Sequence, residues 1–596
     1  MATRSTIAIV LCLIMASCTP SDGSEKSAEI DEEQSLTIAF EREPPDLHFS
    51  RPTNGLAVAE WINEAMLENL YGVSKNIEYQ PELLAGESQV VTNDDGSVTI
   101  DHTLRSGLKW SDGVPLTAED VKYTYERLIE GCKLDPDGSI VNSAGADDGC
   151  VFELSDRSGL GLVTDFRIES DTEFSIDLAR AYAGWKSIFP QIFAKHAYGE
   201  TSAELNQNLL EMTGPDGTLP SSGPMTFAGW ERGNSMVLVR NENYHGSTSP
   251  DSRNQGIAQV NSIRIVFNTD VDSQVAGVLA GEIDVVMAGP DESLFGLSDS
   301  SSFVLASEPG PKFEHWALNL LNPHLAKPQV REALAYGINK QEVVSVLYEP
   351  FFGNRLAAEG LGNSFWMPNQ PGYIDHQAKY AGANTEAAEA LLQQAGYQKQ
   401  SDGFYAHPDL GKLSLRVITP PGNRLRQLQM ELMASQLQNV GIEIVVTPGP
   451  ENFFAETVAS EQALLAASTQ GTQGDPTVWD IAQFSWVSGP WPGETGSVYR
   501  SGGRMNIYAF ADDEFDQLLD ACNTKVDIDS QVTCYNELDS FVTTLDRSPN
   551  GLFSIPITQQ PLFFGYNSDR VSTVPIVTDS IGGGPLANAA DYQLVD

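Results

Sequence analysis

Basic residues are scarce in this chain. Its 596 residues include 35 Lys and Arg against 81 Asp and Glu, a net charge of −46. A phosphate backbone would be repelled by such a surface, so no nucleic-acid partner is expected. The acidic excess reads as solubility, in a salty medium, rather than as a functional patch. Catalytic motifs are missing as well. No G-x-x-x-x-G-K-[ST] offers a phosphate loop, no H-E-x-x-H offers zinc ligands, and no G-x-S-x-G or S-x-x-K marks a serine nucleophile. The eight histidines are scattered without ligand spacing. Neither a metal nor a cofactor is expected, and no enzyme. Hydrophobic residues make up 41% and charged residues 19%, which suits a globular protein of two or three domains.

Long apolar runs are absent beyond the N-terminus. TIAIVLCLIMASC (6–18), preceded by Arg4, is short for a bilayer span of about 20 residues and suits a signal-peptide core. MASC resembles a bacterial lipobox, with Met15 where Leu is usual and Cys18 as the residue lipidated after cleavage. The expectation is a signal peptide over 1–17. A lipidated Cys18 and an acidic, aperiodic tether then occupy 18–35. Cysteine is also rare, at six residues. Outside the export region it falls as two local pairs, Cys132 with Cys150 and Cys522 with Cys534. In an exported chain these favour disulfides over metal ligation, each worth about 3 kcal/mol in the chain-entropy model.

The body alternates strand and helix patterns, an α/β class. LTIAF (36–40) reads as a strand and AEWINEAMLENL (59–70) as a helix. Two hairpins are expected, one turning at Asp95-Gly96 and one over FRIESDTEFSIDL (166–178). Thr117 caps a helix through ERLIEG, and helices end at Gly281 and Gly396. VREALAYGINKQEVV reads as two helical runs broken around Gly337. KLSLRVI (412–418), RLRQLQMELMASQLQNVG (424–441) and IEIVV (442–446) form a βαβ unit with parallel pairing. A helix over 452–460 and an apolar run at 463–468 continue the alternation.

LRSGLKWSDGVPLTAEDVKYTYERL (104–128), with MLENLYG, YQPELLAGE, SSGPMTFAGWERGNSMVLVRNENYHG and VREALAYGINKQEVV, resembles one family: the solute-binding lipoproteins of ABC importers, peptide/nickel class. The similarity covers roughly 36–596. Trp110, Asp112, Gly113, Arg240, Asn241 and Tyr244 read as architecture within it. The resemblance implies a periplasmic-binding-protein-like fold, two lobes around a hinged cleft with an extra inserted subdomain. Lobe I would comprise 36–75, 210–308 and 548–596, the insertion 76–209, and lobe II 309–547. The implied function is capture of an oligopeptide or similar solute and its delivery to the transmembrane subunits of an ABC permease. The protein would be a monomer, extracytoplasmic and anchored to the bacterial cell membrane by its N-terminal lipid. The rivals are an oligosaccharide, an opine-like compound or a metal chelate on the same scaffold, or a sensor, adhesion lipoprotein or hydrolase.

The resemblance places solute contacts in LLAASTQGTQGDPTVWD (464–480). In peptide binders an aspartate three residues before the acidic-Pro pair holds the peptide amino group. Here the pair is Asp475-Pro476, and Thr472 stands at the aspartate position. Threonine offers no fixed charge to an ammonium, so either another carboxylate holds the amino group or the solute has none. Ser468, Thr469, Gln470, Gly471, Gln473 and Asp475 complete this candidate loop. Gly55 and Leu56, before the first helix, and Phe453 and Phe454 are further contact candidates. So are Trp479 and Trp486, in an aromatic stretch that includes Trp491.

Overall fold

The computed structural model describes residues 34–51, 57–135, 138–140, 148–154, 157–244, 246, 254, 256–268, 270–288, 291–297, 301–348, 360–421, 423–449, 479–503, 506–575 and 583–595. One mixed sheet of ten strands runs through the molecule. In order across it lie Met225–Glu231, Ser235–Arg240, Ser262–Phe267, Ser35–Phe40, Val285–Ala288, Ser554–Asn567, Phe303–Leu318, Ile481–Val487, Ser414–Thr419 and Glu443–Pro448. Ser35–Phe40 pairs in parallel with Ser262–Phe267 and Val285–Ala288. Ser414–Thr419 pairs in parallel with Glu443–Pro448 and Ile481–Val487. The two longest strands, Phe303–Leu318 and Ser554–Asn567, run antiparallel at the centre and join these parallel groups.

The βαβ unit forms as its pattern dictates, with helix Arg424–Val440 between Ser414–Thr419 and Glu443–Pro448. Asn423 caps that helix by accepting from the Arg426 backbone N–H at 2.8 Å, and Gly441 ends it at φ 97°. Thr117 and Asp120 form a reciprocal capping box on helix Ala118–Leu128. Both hairpins merge into one antiparallel sheet, ordered Gln89–Thr92, Val98–Thr103, Glu173–Leu178, Val163–Ile168. The run around Gly337 divides into Pro328–Gly337 and Lys340–Leu347.

The first helix differs from its periodicity: it covers Ala57–Glu64 and stops short of residue 70. Tertiary hydrogen bonds take over there. The carbonyls of Ala65 and Met66 accept from the Met225 and Gly223 N–H groups at 2.9 and 2.8 Å, and the Glu68 N–H donates to Ser222 Oγ at 2.8 Å. A Cβ on Gly223 would sit 2.7 Å from the Ala65 oxygen, so this approach requires glycine.

Both cysteine pairs, Cys132–Cys150 and Cys522–Cys534, are joined as disulfides. Trp110 is fully buried, and Asp112 Oδ1 accepts from the Val114 N–H at 3.0 Å, the packed corner expected of that segment. No helix among the described residues is long and apolar enough to cross a membrane.

Candidate functional site

In open α/β sheets, ligands collect beyond the carboxyl ends of the strands. A cavity of about 140 Å³ lies at such a place. Glu41 and Arg42 follow strand Ser35–Phe40, Met287 and Ala288 end strand Val285–Ala288, and Val58 and Trp61 face in from helix Ala57–Glu64. The remaining wall, Gly310, Lys312, Gln560 and Pro561, comes from an interruption in the central ladder. Pro309 pairs with Pro561, and pairing resumes only at Phe313 with Gln559. Pro309, Pro311 and Pro561, with Gly310, disfavour regular pairing, and the bulge opens backbone and side chains toward the cavity. The Gln559 amide patches the gap by donating to the Gly310 carbonyl at 2.7 Å.

Gln560 ties the cavity to a buried ion pair. Its amide donates to Glu314 and, at 3.0 Å, to Ser485 Oγ. Arg426 donates to the same carboxylate through Nε, at 2.9 and 3.0 Å, and through Nη2, at 2.6 Å. Burial would raise the Glu314 carboxyl, but the Arg426 charge and the Arg426 and Ser485 hydrogen bonds outweigh it and hold it below the usual carboxylate range. Burial likewise opposes the Arg426 charge, and the Glu314 carboxylate reverses that effect upward. A cation in a helix's first turn opposes the helix dipole, so Arg426 owes its place to Glu314. Beside them His315 is fully buried with Nε2 2.9 Å from the Tyr508 hydroxyl; burial pushes it down to about 3 and keeps it neutral.

Most residues marked out by the sequence lie outside the described residues: Gly55, Leu56, Phe453, Phe454, Ser468, Thr469, Gln470, Gly471, Thr472, Gln473, Asp475 and the lipidation candidate Cys18. Of the tryptophans, Trp479 is fully buried in a core cluster and offers no exposed face for stacking. Burial of a large apolar ring in close-packed surroundings accounts for it. Trp491 is spent on architecture, donating to the Tyr535 hydroxyl at 3.1 Å and meeting Tyr182 edge-on. Trp486 is half-buried. It donates to the Tyr508 hydroxyl at 3.0 Å and packs beside Val73, Ile77, Phe313, Leu361 and Met367.

Glu314, Arg426 and Gln560 were not marked out by sequence reasoning. One signal existed: Glu314 sits in KFEHWAL, a charge inside an otherwise apolar run, and such a charge demands a partner. No motif announces that partner at a separation of 112 residues. Among the described residues no group of three or more His, Cys, Asp or Glu is placed to hold a metal.

Solved structures share this architecture. A periplasmic EDTA-binding protein, EppA, matches with a TM-score of 0.74 at 18% identity, covering 94% of this chain and 96% of that one. The oligopeptide-binding protein AppA of Bacillus subtilis, solved with a nonapeptide, matches with a TM-score of 0.65 at 16% identity, covering 94% and 99%. The fold is thus that of the periplasmic solute-binding proteins. By sequence, the chain is 23% identical over 487 residues to the oligopeptide-binding protein OppA of Mycobacterium tuberculosis, covering 80% of this chain and 71% of OppA. Residues 78–504 match the family model "Bacterial extracellular solute-binding proteins, family 5 Middle", and the chain belongs to that family.

Proposed function

We propose that the chain is the extracytoplasmic substrate-binding component of an ABC importer, which captures an oligopeptide or similar solute in a closing cleft and hands it to the membrane permease. Family membership over residues 78–504 carries this reading, and relatives named for oligopeptide and dipeptide binding support its solute class. The cavity at the strand ends suits it: a concave site walled by both halves of the central sheet, over a neutralised ion pair. The lobes (36–75 with 210–308 and 548–596, and 309–547) would close about the two long central strands, with 76–209 as the inserted subdomain. Binding and closure suffice for the function, with no chemistry on the solute. Cys18 would carry the lipid that holds a monomeric receptor to the bacterial membrane.

Thr472 supports a second reading, a solute without a free amino group, because the charge that would hold one is missing from that position. Release of co-purified solute from native protein, read by mass spectrometry, separates the two. A ladder of peptide masses is the expected result. A single non-peptide mass would replace the peptide by another solute, and turnover of the captured molecule would overturn the receptor reading.

A further inference from the structure

A second cavity, about 180 Å³, lies between Phe49 and Ser50, residues from Glu60 to Tyr79, Leu154, Ser158 and Leu160, the loop 186–191 and the turn Gly489–Pro490. Glu64, the last residue of helix Ala57–Glu64, is 2% exposed and lines it. The Asn69 amide donates to both Glu64 oxygens at 3.1 Å, and the Gln191 amide reaches Oε1 at 3.5 Å. Both amides thereby turn their nitrogens to the carboxylate, which leaves their oxygens over. Asn69 Oδ1 and Gln191 Oε1 are buried without a hydrogen-bond partner among the described residues, on side chains only 2% and 1% exposed.

Buried polar atoms are ordinarily paired, because an unpaired one loses its hydration for nothing. Two unpaired oxygens beside a carboxylate, all lining one cavity, form an acceptor-only set. An anion would be repelled there, and a hydroxyl would satisfy only one acceptor as donor. A primary ammonium brings three donors, enough for both amide oxygens and a carboxylate oxygen. The wall already accommodates such a group: the Lys186 ammonium lies 4.7 Å from the Tyr71 ring centroid while pairing with Glu87 at 2.7 Å. Tyr71 and Phe189 supply apolar lining for an alkyl stem.

We propose that this cavity is a subsite for the cationic end of the solute, a primary ammonium held by the Glu64 carboxylate with Asn69 Oδ1 and Gln191 Oε1. The inference rests on the solute-receptor reading and supplies the carboxylate that Thr472 does not.

Calorimetric titration of the full chain with pentylammonium and with 1-pentanol tests it. The unaltered protein is expected to bind the amine at least tenfold more tightly than the alcohol, and Glu64→Gln to abolish that preference. Equal affinities, no binding of the amine, or a preference that survives in folded Glu64→Gln would each overturn the subsite; water alone would then fill the cavity. Should Glu64→Gln not fold, Gln191→Leu replaces it. That variant is expected to weaken the amine severalfold and leave the alcohol unchanged, and an unaltered ratio overturns the proposal. Peptide capture without amine preference would remove the subsite and leave the receptor standing. Amine preference in a chain that captures no solute would do the reverse.

Discussion

Glu314 and Arg426, 112 residues apart in the chain, meet through both Nε and Nη2 of the guanidinium at 2.6–3.0 Å, with the carboxylate side chain 1% exposed. The pair holds the start of helix Arg424–Val440 against the central strand, just where the ladder is interrupted beside the cavity. Removing one member strands the other in a low-dielectric interior, whereas removing both leaves only a packing defect. Arg426→Met is therefore expected to cost about 3–5 kcal/mol in urea unfolding. The double variant Glu314→Gln/Arg426→Met should cost markedly less than the single one. A double variant as unstable as the single would show that the guanidinium acts through packing alone.

Asp539 provides a pH test in a different part of the fold. It is fully buried in helix Ile528–Thr543, accepting from the Ser364 N–H at 2.7 Å and the Thr543 hydroxyl at 2.9 Å. Burial pushes its carboxyl from the ordinary 3.8 up to about 7, against smaller opposing effects from His376 and those hydrogen bonds. Between those values the folded state keeps a proton that the unfolded chain has released. Its contribution to stability thus falls as pH rises from about 4 to about 7, by up to ~4 kcal/mol, and is constant outside that window. Asp539→Asn removes this dependence. Unfolding free energies of the two proteins should converge or cross toward pH 7, and parallel curves from pH 4 to 8 would contradict the assignment.

Local signals explain why some elements were legible. Thr117 with Asp120, Gly281, Gly441 and the Asp95-Gly96 turn each act within a few residues, and the structure uses them as the sequence implies. The two central strands are not legible locally, because FVLASEPGPKFEHWAL and SIPITQQPLFFGYN contain prolines and lack clean alternation. Pairing over a long antiparallel ladder, with bulges to absorb the prolines, overrides that local disfavour. The same non-locality hides the candidate site. Family motifs marked out 464–480, whereas Gln560, Glu314 and Arg426 come together only through the sheet.

Trp486 and Trp479 respond differently if the cleft reading holds. Trp486 is half-buried beside Val73 and Ile77, while Trp479 is sealed in the core. Trp486→Phe retains an aromatic but loses the donor to Tyr508, and is expected to weaken solute binding by about tenfold, roughly 1.4 kcal/mol. Trp479→Phe should lower the melting temperature and leave affinity at low temperature unchanged. The reverse pattern would move the solute contact away from strand Ile481–Val487.

The lipid anchor proposed at Cys18 has a test independent of the fold. Cys18→Ala is expected to abolish acyl labelling and shift the protein from the detergent phase to the aqueous phase, with solute affinity unaltered. Labelling that persists in Cys18→Ala would remove the lipoprotein assignment.

By resemblance alone, Thr472 stands where peptide binders of this kind carry an aspartate. A carboxylate installed there would recreate a fixed negative charge, and an ammonium gains a hydrogen bond roughly twice as strong as a neutral one. If residue 472 lines the cleft, Thr472→Asp should tighten binding of free-amino peptides several-fold and leave their N-acetylated counterparts unchanged. Adding Glu64→Gln then separates two routes of amino capture. Loss of affinity in Glu64→Gln that Thr472→Asp restores would mean that the two carboxylates serve one ammonium. Independent effects would assign them to different ends of the solute, and no response to Thr472→Asp for any solute identified by mass spectrometry would take residue 472 out of the cleft.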